Sequence, residues 1–346
     1  MQARALLFIR VLIVILALAF AVAGAGIGYV LHESRPVLSV PTAGSLFAIE
    51  KGDNAQSIGK RLEQGGLIRS AAVFHALIRL EDPSAVFKTG TYRIGTGMGT
   101  QAIIQLLLSG KQALIRVTVP EGFTISQTAA LLDRLGVAAA AEFRAACHDP
   151  ALLTDLHLPP TGAEGYLFPD TYFFPASYGG AEAVRAMVAA FRQRLSTIPE
   201  AAELSSAELR DRIILASIVE REYKQPDEAP LIASVFFNRL RIKMALQSCA
   251  TVVYVLTERE GKPHPEVIYD RDLAIEDPYN SYLYRGLPPG PICSPGMTSL
   301  HAVFYPATTH YLYFRLIDPA AGRHHFSTTL EEHIDAKNLF IKQVGS

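Results

Sequence analysis

A chain of 346 residues is long enough for two or three small domains, and a formal net charge of −1 leaves no broad basic surface for nucleic acid. Its three cysteines show no C-x-x-C spacing, which excludes a zinc ribbon and a thioredoxin-like redox motif. No H-E-x-x-H occurs among the ten histidines, and His324 and His325, adjacent on a segment that reads as a strand, would point to opposite faces, so no metal and no cofactor is expected.

Val11 to Leu31 is a run of 21 residues without a charge, enough to cross a bilayer as a helix. Arg4 and Arg10 precede it. The positive-inside rule therefore puts residues 1–10 in the cytoplasm, 11–31 in the cytoplasmic (inner) membrane and the chain after His32 on the extracytoplasmic, periplasmic side. Ala21-Val22-Ala23 has the small-x-small form of a signal-peptidase site, but the apolar run continues to Leu31, longer than a signal peptide needs, which favours a retained single-pass anchor.

Residues 32–44, with Pro36 and Pro41, read as a linker. From residue 45 the pattern becomes strand, turn, helix: Leu46 to Glu50 alternates, Lys51-Gly52-Asp53-Asn54 is turn chemistry, and Ile58 and Leu62 share a helical face that Gly65-Gly66 ends. A second helix runs from about Ala71 to Leu80, Gly90 to Ile94 reads as a strand, and Ile103, Ile104, Leu107 and Leu108 mark a helix ending at Gly110. The plan returns 70 residues later, where Gly122, Leu132 and Gly136 match Gly52, Leu62 and Gly66 and Val117 to Val119 is the second strand. This gives an αβ module over 45–117, then a second strand-helix unit and alanine-rich connector over 118–162.

The remaining segment, 163–346, opens on an aromatic cluster, Tyr166 to Phe174. Tyr166 and Tyr172 suit either a sugar-stacking wall or the core. A helix over Ala181 to Leu195 precedes the informative one. There Ser205 with Glu208 forms a capping box, Ile213 to Val219 is apolar on nearly every face, and Gln225-Pro226 ends the pattern. Glu220 follows that buried run directly, with the small Ala216 and Ser217 one turn back, which would leave open space before its carboxyl. Asp277 to Tyr284 and Leu287 to Pro295 read as loops, Tyr311 to Ile317 and His324 to Ser327 as a hairpin, and Thr328 with Glu331 as the cap of a last helix.

Ala216-Ser217-Ile218-Val219-Glu220, Val235 to Leu240, Leu246-Gln247, Tyr279 to Tyr282, Gly286 to Ile292 and Tyr311 to Phe314 stand in the order of the endolytic murein transglycosylase (MltG, YceG-like) family, which this chain resembles. Glu164 to Tyr172 matches that family's E-G-x-x-x-P-D-T-Y. The resemblance implies an α+β protein: a single amino-terminal transmembrane helix, a small LysM-like module, and a mainly helical, lysozyme-like catalytic domain with a β-hairpin. The module would bind glycan or serve as a plain spacer. The implied activity is cleavage of MurNAc-β-1,4-GlcNAc bonds in peptidoglycan strands with 1,6-anhydro ends, with peptidoglycan synthases as candidate partners. Glu220 would be the acid and then the base. Gln247 and Asn280 would hold the N-acetyl group and sugar hydroxyls, with Ser217, Tyr279 and Tyr166 also at the substrate and Asn238 and Arg239 bracing the site.

A hydrolytic muramidase would need a second carboxylate. Glu222 is turned away along the helix, leaving Asp170, Asp270, Asp272 and Asp277 as candidates. Where the family reads L-Q-[ST]-D-P-T-V, this chain has Leu246-Gln247-Ser248-Cys249-Ala250-Thr251-Val252, losing an acid and a proline, so a catalytically impaired peptidoglycan-binding scaffold is the other alternative. In an oxidising compartment Cys249 and Cys293 would either pair as a disulfide or remain free.

Overall fold

The computed structural model describes residues 2–37, 41 and 44–336. Parts of the expected linker (38–40, 42 and 43) and the chain end (337–346) lie outside the described residues. The chain divides into two compact units, Met1–Leu114 and Ile115–Ser346.

In the first unit, α1 (Gln2–Glu33) begins earlier than the apolar run, because Gln2 to Arg10 contains no helix breaker. Leu12–Glu33 within it, 22 residues with a mean hydropathy of 2.4, is long and apolar enough to cross a membrane. The globular part runs β1 (Ser45–Ile49), α2 (Ala55–Gln64), α3 (Ala71–Glu81), β2 (Gly90–Ile94) and α4 (Thr100–Ser109). β1 and β2 pair antiparallel, Phe47 opposite Tyr92. Asn54 caps α2 by accepting from the Gln56 and Ser57 amides at 2.9 and 3.0 Å, which satisfies donors the helix itself leaves open. Phe47, Ile58, Leu62, Phe74, Tyr92 and Ile104 fill the core.

The second unit opens on a related plan with one more helix before its second strand: β3 (Leu114–Thr118), α5 (Ile125–Arg134), α6 (Ala140–Ala146), α7 (Pro150–Asp155) and β4 (Thr171–Pro175), with β3 paired to β4. The 70-residue repeat is carried by backbone conformation: Gly52 and Gly122 have φ of +96° and +74°, Gly66 and Gly136 of +65° and +72°. Leu62 and Leu132 are both fully buried. The second strand starts three residues before the segment expected from alternation.

α8 (Gly180–Leu195), α9 (Ser206–Glu222), α10 (Ala229–Arg241), α11 (Cys249–Tyr254), the one-turn α12 (Asp270–Leu273) and α13 (Met297–Phe304) follow, and α9, α10 and α13 pack on one another. β5 (Tyr313–Asp318) and β6 (Arg323–Ser327) form an antiparallel pair with an irregularity between Leu316 and Asp318. α14 (Leu330–Asp335) is capped by Thr329 with Glu332, one residue later than expected, because Thr328 stands outside the helix and also donates to the Glu332 carboxylate. The α+β class holds, and the 118–162 strand-helix segment falls in the same compact unit as α9.

Candidate active site

α9 delivers Glu220 in its last turn. Ser205 and Glu208 close the capping box at the other end, the Ser205 amide donating to Glu208 Oε2 at 2.9 Å. Ile213 to Val219 are all buried. The space expected before the Glu220 carboxyl is not open: the loop from Gly290 to Gly296 fills it. Ser217 Oγ donates to Ile214 O at 2.7 Å and accepts from the Ile292 amide at 3.0 Å, Cys293 Sγ donates to Ser217 O at 3.2 Å, and the Gly296 amide donates to Glu220 Oε2 at 2.8 Å. Gly296 is the residue from which α13 starts, and Ser299 Oγ in its first turn also donates to Oε2. Among the described residues, the second oxygen, Oε1, accepts only the longer Tyr223 OH bond of 3.3 Å.

These contacts compete electrostatically. Burial pushes the Glu220 carboxyl above the ordinary glutamate range, the Ser299 and Gly296 donors pull it back, and the charge of Glu121 pushes it up again. Its place at the negative end of α9 works in the same direction as burial. The net result is a raised carboxyl with one oxygen anchored and the other loosely held.

Glu121 is the neighbour of Glu220 that sequence reasoning missed. It is exposed, at the tip of the turn after β3, and the turn is tied to the 290–296 loop by Gly122 N to Ser294 O (2.9 Å) and Ser294 N to Phe123 O (2.8 Å). A Cβ built on Gly296 would run into the Glu121 carboxylate, and one on Gly122 would touch Glu220 Cγ at 3.7 Å. Arg221 donates to Gly122 O at 3.3 Å, on the turn that carries Glu121. The Gly52–Gly122 repeat marked the turn, but nothing in the sequence marked what it faces.

The other expected site residues divide. Asn280 is fully buried, its amide donating to Leu273 O and Ile275 O, both at 2.9 Å, and its Oδ1 accepting from the Tyr282 amide at 3.0 Å. With every polar atom of its side chain engaged, it builds the loop rather than facing a ligand. Ser217 is likewise shut off, and Tyr166 packs edge-on against Phe191 at 5.5 Å in the core. Gln247 is exposed at φ +50°, and its amide donates to Ser281 O at 3.0 Å. Tyr279 is half-buried, its ring tilted against that of Tyr254 at 4.9 Å, with the Arg259 guanidinium 5.3 Å above it. Asn238 donates to Thr309 O and Tyr311 O, and Arg239 to Leu312 O and Leu246 O, so both tie α10 to neighbouring backbone.

Next to Gln247, Ser248 Oγ donates to Glu222 at 2.5 Å. Burial raises the Glu222 carboxyl, with the Ser248 bond, His324 and Arg239 opposing, so Glu222 belongs to this second cluster and not to that of Glu220. Cys249 and Cys293 are not bridged: Cys249 is exposed, with Sγ 3.0 Å from Tyr282 OH, while Cys293 is buried against Ser217. Of the aspartates considered as a second carboxylate, Asp170 pairs with Arg194 at 2.9 Å and Asp277 with Arg259 at 2.5 Å, which occupies both.

A neighbouring cavity of about 220 Å³ is lined by Glu164, Glu258, Tyr254, Tyr279 and Gly290. Glu164 Oε2 accepts the Ile125 amide at 3.1 Å, Oε1 is buried without a hydrogen-bond partner, and burial, opposed by backbone donors and reinforced by Glu258, pushes the carboxyl up to about 8. Among the described residues no three His, Cys, Asp or Glu side chains are grouped to hold a metal ion.

Residues 47–338 match the YceG-like family. The chain is 32% identical over 309 residues to an endolytic murein transglycosylase of Bacillus subtilis (strain 168), covering 85% of this chain and 84% of that protein. An endolytic murein transglycosylase of Streptococcus pneumoniae serotype 2 is 29% identical over 335 residues, spanning 88% of this chain but 60% of the relative. The crystal structure of a yceG-like protein from Listeria monocytogenes aligns with a TM-score of 0.57 at 29% identity, over 85% of this chain and 99% of that one.

Proposed function

Because the chain belongs to the YceG-like family, we propose that it is a membrane-anchored endolytic lytic transglycosylase that cleaves MurNAc-β-1,4-GlcNAc bonds within peptidoglycan strands and leaves 1,6-anhydro-MurNAc ends. The observation that carries this reading is the Glu220 carboxyl, raised by burial and held by Gly296 and Ser299 through one oxygen. Oε1 gives its proton to the glycosidic oxygen as the C1–O bond breaks, so GlcNAc leaves with a free 4-hydroxyl. The muramic 6-hydroxyl then attacks C1, and the Glu220 carboxylate takes the hydroxyl proton. No water is consumed, and the enzyme ends in its starting protonation state.

Gln247, exposed beside the Glu222 cluster, and the half-buried Tyr279 are the side chains we assign to glycan contact. Ser217, Asn280, Asn238 and Arg239 hold the loops that shape the cleft. The Cys249-Ala250 departure lies against Tyr282, and its side chains make no hydrogen bond to Glu220, which favours a competent enzyme over a scaffold. The apolar helix would anchor the chain in the cytoplasmic membrane with the second unit outside, near the synthases that make its substrate.

Mass analysis of purified sacculi digested by the detergent-solubilised protein tests the assignment. Anhydro ends weigh one water less than reducing ends. Anhydro products are expected; reducing ends would make the protein a muramidase, and neither product would make it a scaffold.

A further inference from the structure

The reading of Glu220 as acid and base leaves Glu121 unexplained. It comes from the turn after β3, 99 residues before Glu220, yet that turn is bonded to the loop whose Gly296 holds Glu220. The Glu121 carboxylate lies where a Cβ on Gly296 would stand, so a side chain there would push it aside. Gly296 has φ of −82°, which every residue adopts readily, so backbone strain does not require a glycine here.

Two carboxylates brought together usually carry a compensating cation. Here Arg221 keeps its charge and donates to Gly122 O on the same turn, yet the charge of Glu121 still pushes the Glu220 carboxyl up. The titratable groups facing Glu220 are Tyr223 from α9, Cys293 from the 290–296 loop and Glu121, none of which supplies positive charge near neutral pH. α13 presents the Ser299 hydroxyl. The environments also differ, Glu220 half-buried and Glu121 exposed.

We propose that Glu121 is a positioning residue for the reaction proposed above: its carboxylate, seated against Gly296, acts with burial to prepare Glu220 as the donor to the leaving oxygen. This rests on Glu220 being the acid.

The test is the pH profile of kcat/KM on sacculi for the full-length wild type, Glu121→Gln, Glu121→Asp and Glu220→Gln. Removing a like charge favours the ionised acid, so the alkaline limb of Glu121→Gln should move down by about half to one pH unit. Glu121→Asp, which keeps the charge, should lie between it and wild type. Added salt screens an exposed charge, so raising ionic strength should lower the wild-type limb and leave that of Glu121→Gln in place. An unmoved limb in Glu121→Gln, with the protein folded by circular dichroism and Glu220→Gln inactive, would overturn the role of Glu121 alone. Normal turnover by Glu220→Gln would instead overturn the reading on which it rests.

Discussion

Replacing Ser217 by alanine separates two roles for the residue most closely tied to the catalytic loop. Its hydroxyl is fully buried and serves as the acceptor for the Ile292 amide at 3.0 Å while donating to Ile214 O at 2.7 Å. Alanine keeps the Cβ and opens almost no cavity, so the cost is the unpaired Ile292 donor. Leaving a buried amide unsatisfied costs about 1–3 kcal/mol. For a folding unit of this size that lowers Tm by roughly 2–4 °C per kcal/mol, or about 2–12 °C. Because Gly296 follows four residues later on the same loop, kcat should fall as the Gly296 bond to Glu220 loosens. Thermal melting by circular dichroism and steady-state digestion of sacculi provide the readouts. A variant with wild-type Tm and a raised KM would refute the brace and return Ser217 to the substrate.

The folded chain holds a proton on Glu164 up to about pH 8, whereas the unfolded chain releases it near the ordinary glutamate value, so the native state binds more protons between those limits and stability falls as pH rises through them. Glu164→Gln should therefore match wild type near pH 4 and exceed it at pH 8.5 by on the order of a few kcal/mol in urea unfolding; a pH-independent difference would contradict this. Iodoacetamide on the native protein should label the exposed Cys249 and spare the buried Cys147 and Cys293, with all three labelled after unfolding without reductant. A Cys249–Cys293 disulfide peptide would contradict the geometry. Deleting residues 1–31 should give a soluble protein that still digests sacculi, since Tyr223, Gly296 and Ser299, which hold Glu220, all belong to the second unit; a folded but inactive truncation would count against it.

Local signals were legible where chemistry is local. The Ser205–Glu208 box, the apolar run ending at Glu220 and the turns at Gly52 and Gly122 each rest on contacts within a few residues, and the cap, the buried run and the positive-φ turns stand where they were expected. What escaped was tertiary. Small residues at 216 and 217 suggested a void, but whether a void stays empty depends on Ile292, 75 positions away. Asn280 carries donors and an acceptor that would suit a sugar equally well, and only the fold reveals that Leu273, Ile275 and Tyr282 already use them. Glu121 shows no distinctive neighbour in sequence; its partner is set by the loop ladder at Ser294.

The central claim, that Glu220 is the one acid-base group, is tested most directly by anhydro-product formation from sacculi for wild type, Glu220→Gln and Glu222→Gln. The glutamine amide can keep its oxygen toward Gly296 and let the Tyr223 hydroxyl accept from its nitrogen, so the fold should stand while the transferable proton is lost. The account predicts a fall of at least ~10² for Glu220→Gln, the usual worth of general acid catalysis, with glycan binding intact and Glu222→Gln still active. Near-normal turnover by Glu220→Gln, or abolition by a folded Glu222→Gln, would contradict it.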